Sequence, residues 1–235
     1  MNIVIGHTSH SGIKRDHNED TYGIDLQTGL FLVADGMGGH DHGEIASALA
    51  RDHILKAVKS GTSVKQAILE ANQEIISSSL EKPGDLPMGT TIVLMRVHNK
   101  DFECAWVGDS RIYCLRDDNL KSLSSDHSYV QELVDQDLIT AEQARSHPHR
   151  NVVTQALGVT DNSEISVSEN KGKIKANDKF LICSDGLTEE VDDPTIERIM
   201  RKPLEPKEIC DQLLIKALEN GGSDNITAVV LEFKQ

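Results

Sequence analysis

Three short apolar runs each end on an aspartate beside glycine, and this pattern limits what the chain can fold into. They are Leu30-Phe31-Leu32-Val33-Ala34 before Asp35-Gly36, Cys104-Ala105-Trp106-Val107-Gly108 before Asp109, and Phe180-Leu181-Ile182-Cys183-Ser184 before Asp185-Gly186. A fourth aspartate, in Gly221-Gly222-Ser223-Asp224-Asn225, stands just ahead of the apolar run Ile226 to Phe233. Apolar runs of about five residues bounded by turn residues read as strands buried on both faces. Ending them on ionised carboxylates is costly unless something pairs with the charge. The repetition predicts acids converging at one edge of a sheet core, where divalent cations would answer them.

The rest of the chain supplies the layers around such strands. Thr21 to Ala34 reads as two strands about a turn near Gln27-Thr28-Gly29. A helix is expected from about Gly43 to Val58 with Ile45, Leu49, Ile54 and Val58 as its apolar stripe. A second starts at Thr62 or Ser63, with Val64, Ile68, Ala71 and Ile75 at helical spacing and Lys65, Glu70 and Asn72 on its polar face. Strands return at Thr91 to His98, Phe102 to Val107, Arg111 to Arg116 and Leu120 to Leu123.

Asp126 to Arg150 is polar and helical, with a capping box from Thr140 to Gln143, and reads as an excursion from the sheet. Strand Lys179 to Ser184, a short helix after Pro194, a helix from about Pro206 to Asn220 and strand Ile226 to Phe233 close the pattern. Strands joined by tight turns with helices packed outside them imply an α+β fold with antiparallel sheets. No repeat or linker divides the chain, so residues 1–235 are expected to form a single domain.

Charge and composition exclude several function classes. The net charge is -14, from 24 basic and 38 acidic residues, which argues against a nucleic-acid-binding surface. No apolar stretch approaches the roughly 20 residues of a membrane span, and the N-terminus lacks a signal-peptide pattern. Cys104, Cys114, Cys183 and Cys210 form no CxxC pair and lie in apolar surroundings, as expected of buried thiols in a reducing compartment. A cytoplasmic protein without membrane or nucleic-acid partners is the expectation. The histidine pairs His40-Asp41-His42 and His147-Pro148-His149 lack zinc-site spacing.

Asp35, Asp185 and Asp224, with Glu19 and Asp20, supply hard oxygen ligands of the kind Mg²⁺ and Mn²⁺ take, and Gly36 offers an unobstructed carbonyl. Any one Asp-Gly step is also an ordinary turn dipeptide. Together the acids are harder to dismiss. Two carboxylates about 4 Å apart repel by roughly 4 kcal/mol at an effective dielectric near 20. Several such pairs rival the 5–15 kcal/mol or so that holds a domain together. Arg15, five residues before Asp20, is suited to a bidentate grip on phosphate.

At these residues the sequence resembles the metal-dependent serine/threonine protein phosphatases, protein phosphatase type 2C or PPM, in their compact bacterial form. The resemblance runs in order through Arg15-x-x-x-Glu19-Asp20, Val33-Ala34-Asp35-Gly36-Met37-Gly38-Gly39-His40, Met88-Gly89-Thr90-Thr91, Val107-Gly108-Asp109-Ser110-Arg111, Asn151 to Gly158, Ser184-Asp185-Gly186-Leu187 and Ser223-Asp224-Asn225. It covers nearly the whole chain.

The resemblance implies a four-layer αββα sandwich, two central antiparallel β-sheets flanked by helix pairs, with metals in a cleft at one end. It implies that Asp35 bridges two Mn²⁺ or Mg²⁺ ions with the Gly36 carbonyl on one of them, and that Asp185 and Asp224 complete the coordination sphere of the second. Glu19 and Asp20 would hold metal-bound waters or ligate weakly. Asp109 would help Asp185 bind a weaker third ion. Many eukaryotic members carry histidine directly after the Asp-Gly step, where this chain has Met37, so His40 is the nearest candidate for the proton donor. Glu189 stands where such members often place another acidic ligand of the third ion.

The implied reaction is hydrolysis of phosphoserine or phosphothreonine by a metal-activated water, with Arg15 on the phosphoryl oxygens and residues 126–150 as a flap beside the cleft. The implied partners are phosphorylated Ser/Thr proteins, a cognate bacterial Ser/Thr kinase or its substrates, met by a monomer. Two other readings stay open: a catalytically dead binding module, and a phosphatase of small phosphoesters.

Overall fold

The apolar runs fold as the inner strands of two stacked sheets. The computed structural model describes residues 2–38, 42–79 and 88–234. Strand β1 (Asn2–His10) precedes a hairpin of β2 (Asp20–Asp25) and β3 (Leu30–Met37). Helices α1 (His42–Lys59) and α2 (Val64–Ser79) follow, then β4 (Gly89–Thr90), β5 (Ile92–His98) and β6 (Asp101–Val107). Next come β7 (Arg111–Arg116) and β8 (Asn119–Ser122), with α3 (Tyr129–Asp135) and α4 (Ala141–Arg145) in the polar excursion. The chain then forms β9 (Ser168–Lys173), β10 (Lys179–Cys183), α5 (Asp185–Glu190), α6 (Asp193–Met200), α7 (Pro206–Asn220) and β11 (Ile226–Lys234).

One sheet has the order β1-β11-β10-β7-β8, and the other β2-β3-β5-β6-β9 with β4 beside β3. Every pairing between named strands is antiparallel. Side chains alternate faces along a strand, so each inner strand serves two cores. Leu30, Leu32 and Ala34 of β3 pack against α1 and α2, while Phe31 and Val33 face the opposite sheet. Leu181 and Cys183 of β10 pack toward α5, α6 and α7, while Phe180 and Ile182 face inward. Between the sheets, Phe180 meets Phe102 and Phe233 edge-on, with ring centroids 5.3 and 5.6 Å apart. Burying each such side chain contributes about 2 kcal/mol. This is the αββα sandwich expected from the sequence.

Local differences from expectation have local causes. The buried face of α1 is made chiefly of Ala46, Ala50, Ile54, Ala57 and Val58, whereas Ile45 is 48% exposed. Small alanines let the helix lie close on β3. Asn72 is fully buried rather than on the polar face of α2, and its carboxamide binds Gly158 N–H and the Thr160 carbonyl at 2.6 and 2.9 Å. Among the described residues, no helix is long and apolar enough to cross a membrane.

Candidate active site

Antiparallel pairing brings the acids together. β3 and β10 end, and β2, β7 and β11 begin, at one end of the sandwich, so Asp35, Asp185, Asp20, Asp109 and Asp224 all lie there. Asp20 and Asp35 are register partners across β2 and β3. Directly paired residues leave the same face of a sheet with Cβ atoms about 5 Å apart. Asp35 also shares parity with Phe31 and Val33, and Asp20 with Tyr22 and Ile24, so both acids sit over the space between the sheets.

The flanking motifs build the frame. The Asp35 carbonyl accepts from Thr91 N–H and Thr90 Oγ1, both at 2.8 Å, and Asp35 N–H donates to Thr91 Oγ1 at 3.2 Å. Thr90 and Leu157 exchange two backbone bonds of 3.0 and 2.9 Å, which ties the 151–158 stretch to the same strand end. A side chain on Gly36 would place its Cβ 2.1 Å from the Gly43 carbonyl oxygen and 2.7 Å from that of Glu19. The start of α1 and the Glu19 backbone therefore press directly onto the acidic step.

Ser184, fully buried, connects the sheets. Its Oγ donates to Asp20 Oδ2 at 2.7 Å and accepts from Thr227 N–H at 3.0 Å. Ser184 is also the N-cap of α5, yet its side chain makes no capping bond. The Asp185-Gly186 step is the first turn of that helix.

Crowding shows in the ionisation of the acids. Burial, partly offset by the bond from Ser184, pushes the Asp20 carboxyl up to about 7. Burial and then the neighbouring Asp20, Asp185 and Asp109 hold Asp35 well above the ordinary carboxylate range, and burial, with Asp224 and Asp126, raises Asp185. Asp35 and Asp185 each keep an edge on solvent although protein packs around them. Asp109, 7% exposed, is raised by burial and by Asp185 and Asp126. Burial also raises Glu19, and it lifts Glu189 to about 7, with Asp185 adding to the effect.

Arg15 meets this cluster from the rim. Its Nη2 donates to Asp224 Oδ2 at 2.7 Å, and its side chain remains 53% exposed. Its pKa is raised first by that bond and then by the charges of Asp224, Glu19 and Asp35.

The arrangement fits hard divalent cations. Asp20 Oδ1 and Asp185 Oδ1 are buried without a hydrogen-bond partner, two orphaned carboxyl oxygens at one end of the sandwich. The donor set is all oxygen, the preference of Mg²⁺ and Mn²⁺. As the side chains stand, no three or more described His, Cys, Asp or Glu residues close into a single metal shell, and the Arg15 guanidinium is paired with Asp224. A thiol nucleophile is excluded. Burial pushes Cys114 up to about 11, Cys210 to about 12, and Cys104 and Cys183 further.

Beside the acids lies a cavity of about 710 Å³, lined by Asp109, Asp185 and Glu189 on the sandwich side and by Arg145 and Arg150 from 126–150. Arg111 of β7 grips Asp126, where the excursion starts, through two bonds of 2.8 and 2.6 Å. The structure thus brings together Arg15, Glu19, Asp20, Asp35, Gly36, Asp109, Asp185 and Asp224. His40 lies outside the described residues. Sequence reasoning passed over Ser184 and Asn225 as functional residues, although both lie inside motifs it quoted.

Comparison with known proteins gives the same answer from another direction. A sequence-family description, Protein phosphatase 2C, matches residues 8–219. The serine/threonine phosphatase stp of Listeria innocua is 35% identical over 232 residues, covering 93% of this chain and 91% of that protein. The serine/threonine protein phosphatase PstP of Mycobacterium tuberculosis is 36% identical over 240 residues, covering 99% of this chain; the chain spans 46% of that relative's length. A crystal structure of a PstP catalytic domain in complex with two manganese ions superposes with a TM-score of 0.87, at 32% identity over 100% of both chains.

Proposed function

Since the chain belongs to the protein phosphatase 2C family of metal-dependent serine/threonine protein phosphatases, we propose that its strand-end carboxylates hold Mn²⁺ or Mg²⁺, two core ions and a weaker third. Asp35 would hold the core pair, with the Gly36 carbonyl beside it. Asp185 and Asp224 would complete the core pair, and Asp20 and Glu19 would hold its waters or ligate weakly. Asp109 serves the third ion with Asp185. The observation that carries this reading is the pair of buried, unpartnered carboxylate oxygens on Asp20 and Asp185 at one sandwich end. When bound, such ions lower the pKa of water toward neutrality and offset phosphoryl charge.

The residues of the chain do the rest. Arg15 stands at the rim and orients the phosphoryl group through its guanidinium, in the bidentate geometry that arginine offers phosphate. Ser184 fixes the Asp20 rotamer. His40 is the candidate donor of a proton to the departing serine or threonine oxygen. The 126–150 flap borders the cavity where peptide flanking the phosphoresidue lies. Residues 1–235 act as one catalytic domain, and the substrates are phosphoproteins made by a bacterial Ser/Thr kinase, or the kinase itself.

The test is phosphate release from phosphoserine and phosphothreonine peptides with added Mn²⁺ or Mg²⁺. Turnover that survives excess chelator overturns the metal assignment. A strong preference for small phosphoesters over phosphopeptides assigns a different substrate class.

A further inference from the structure

The Ser223-Asp224-Asn225 stretch holds one residue that the chemistry above does not use. Asn225 is 5% exposed, and its carboxamide is turned toward the segment that carries Arg15, Glu19 and Asp20. Its Oδ1 accepts from Glu19 N–H at 2.8 Å. Its Nδ2 donates to the Ser11 carbonyl at 2.9 Å and the His17 carbonyl at 2.8 Å. These bonds bracket the 11–19 loop on both sides of Arg15. Around them the two backbones are pressed together. Ile13 N–H donates to the Gly222 carbonyl at 2.8 Å, and a Cβ on Gly12 (φ +78°) would stand 2.1 Å from the Asp224 carbonyl oxygen.

Arg15 has little packing of its own, since its side chain is 53% exposed, and its ion pair is with Asp224. Its position is therefore set by the loop beneath it. A carboxamide alone offers two N–H donors and an acceptor in one plane. An aspartate in its place would lose both donors and turn an anion toward two carbonyl oxygens.

We infer that Asn225 is a positioning residue for phosphate recognition: it clamps the 11–19 loop onto the 222–225 loop so that Arg15 stands beside Asp224, and it acts on substrate only through Arg15. This rests on the reading of Arg15 as the phosphate grip.

The experiment measures KM for a phosphopeptide and competitive inhibition by inorganic phosphate in Mn²⁺-loaded wild type, Asn225→Asp, Arg15→Ala and the double variant. Misplacing a recognition group by about an ångström is enough for a loss of tenfold or more. Asn225→Asp is expected to raise KM and the phosphate Ki about tenfold. In the Arg15→Ala background the same change should add less than about twofold, because residues acting as one unit are not additive.

Losses that multiply independently overturn the inference. So does an unchanged phosphate Ki in Asn225→Asp beside a weakened one in Arg15→Ala. An unchanged Ki in Arg15→Ala alone overturns the reading of Arg15, and the route through it. If Asn225→Asp does not fold, NMR of the Mg²⁺-loaded protein decides. Inorganic phosphate should shift the Asn225 carboxamide protons in wild type and not in Arg15→Ala, and the absence of a shift in wild type overturns the inference.

Discussion

Ser184 Oγ and Asp20 Oδ2 lie 2.7 Å apart, and their bond crosses from one sheet of the sandwich to the other. It engages one carboxylate oxygen of Asp20, while the other, Oδ1, is buried without a partner. Ser184→Ala removes that restraint and also strips Thr227 N–H of its acceptor. The expected cost is about 2 kcal/mol of stability, typical of a buried polar group left unsatisfied. A weaker Mn²⁺ affinity should accompany it, read by denaturant titration and calorimetry. Unaltered metal affinity would separate the serine from the site.

The acids make the metal-free protein sensitive to base. Asp20 titrates near 7 in the folded chain against 3.8 as the ordinary value, and Asp35 and Asp109 also lie well above that value. Between the two limits the folded state binds more protons than the unfolded one, so stability falls as pH rises. Melting in chelator should therefore drop from about pH 4 to about pH 7. Cations bind the deprotonated carboxylates, so the stabilisation by Mn²⁺ should grow over the same interval. At a hundred times Kd it amounts to about 2.7 kcal/mol. A melting curve in chelator that rises with pH contradicts the assignment of a crowded acidic centre.

Asp185→Asn separates stability from activity. The amide keeps the shape of the side chain and removes a negative charge that raises Asp35. In chelator the variant should melt at or above wild type. Its stabilisation by Mn²⁺ should shrink, and phosphopeptide turnover should fall about a hundredfold or more, since truncating an electrostatic stabiliser costs that much. Wild-type turnover in the variant refutes the role given to Asp185.

Gly36→Ala tests the close approach at the end of β3. The added methyl meets the Gly43 carbonyl at 2.1 Å, so either strand or helix must retreat. Overpacking of this kind costs about 1–3 kcal/mol. Thermal unfolding should report that loss, together with reduced Mn²⁺-dependent activity. A variant with native melting and activity shows that the strand end yields without effect on the site.

The layers were legible where burial alone decides an element. The runs ending on Asp35 and Asp185 are fully buried strands, and Val64, Ile68, Ala71 and Ile75 of α2 are buried as their spacing requires. The capping box of Thr140 and Gln143 forms, because its partners are three residues apart. The edge strands were less readable. β9 runs Ser-Glu-Asn-Lys-Gly-Lys without an apolar residue and is held by its neighbour, with Lys171 and Lys173 paired to Glu103 and Asp101. The alanine face of α1 gave way to Ile45 in a hydropathy reading because alanine is weakly apolar. At the site, Asp-Gly steps announced carboxylates at strand ends. The work of Ser184 and Asn225 was invisible, since the partners they reach in the N-terminal segment lie 164 to 214 residues away in sequence.

The edge-on contacts of Phe180 with Phe102 and Phe233 have a consequence at a distance. Asp20 and Asp35 are carried by one sheet, and Asp109, Asp185 and Asp224 border strands of the other. The width of the aromatic layer therefore works as the jaw of a caliper, setting how far apart the two groups of carboxylates stand. Residues of that layer that border no carboxylate thus bear on the spacing of the acids, and the size of a ring in the middle of the sandwich is felt at its end.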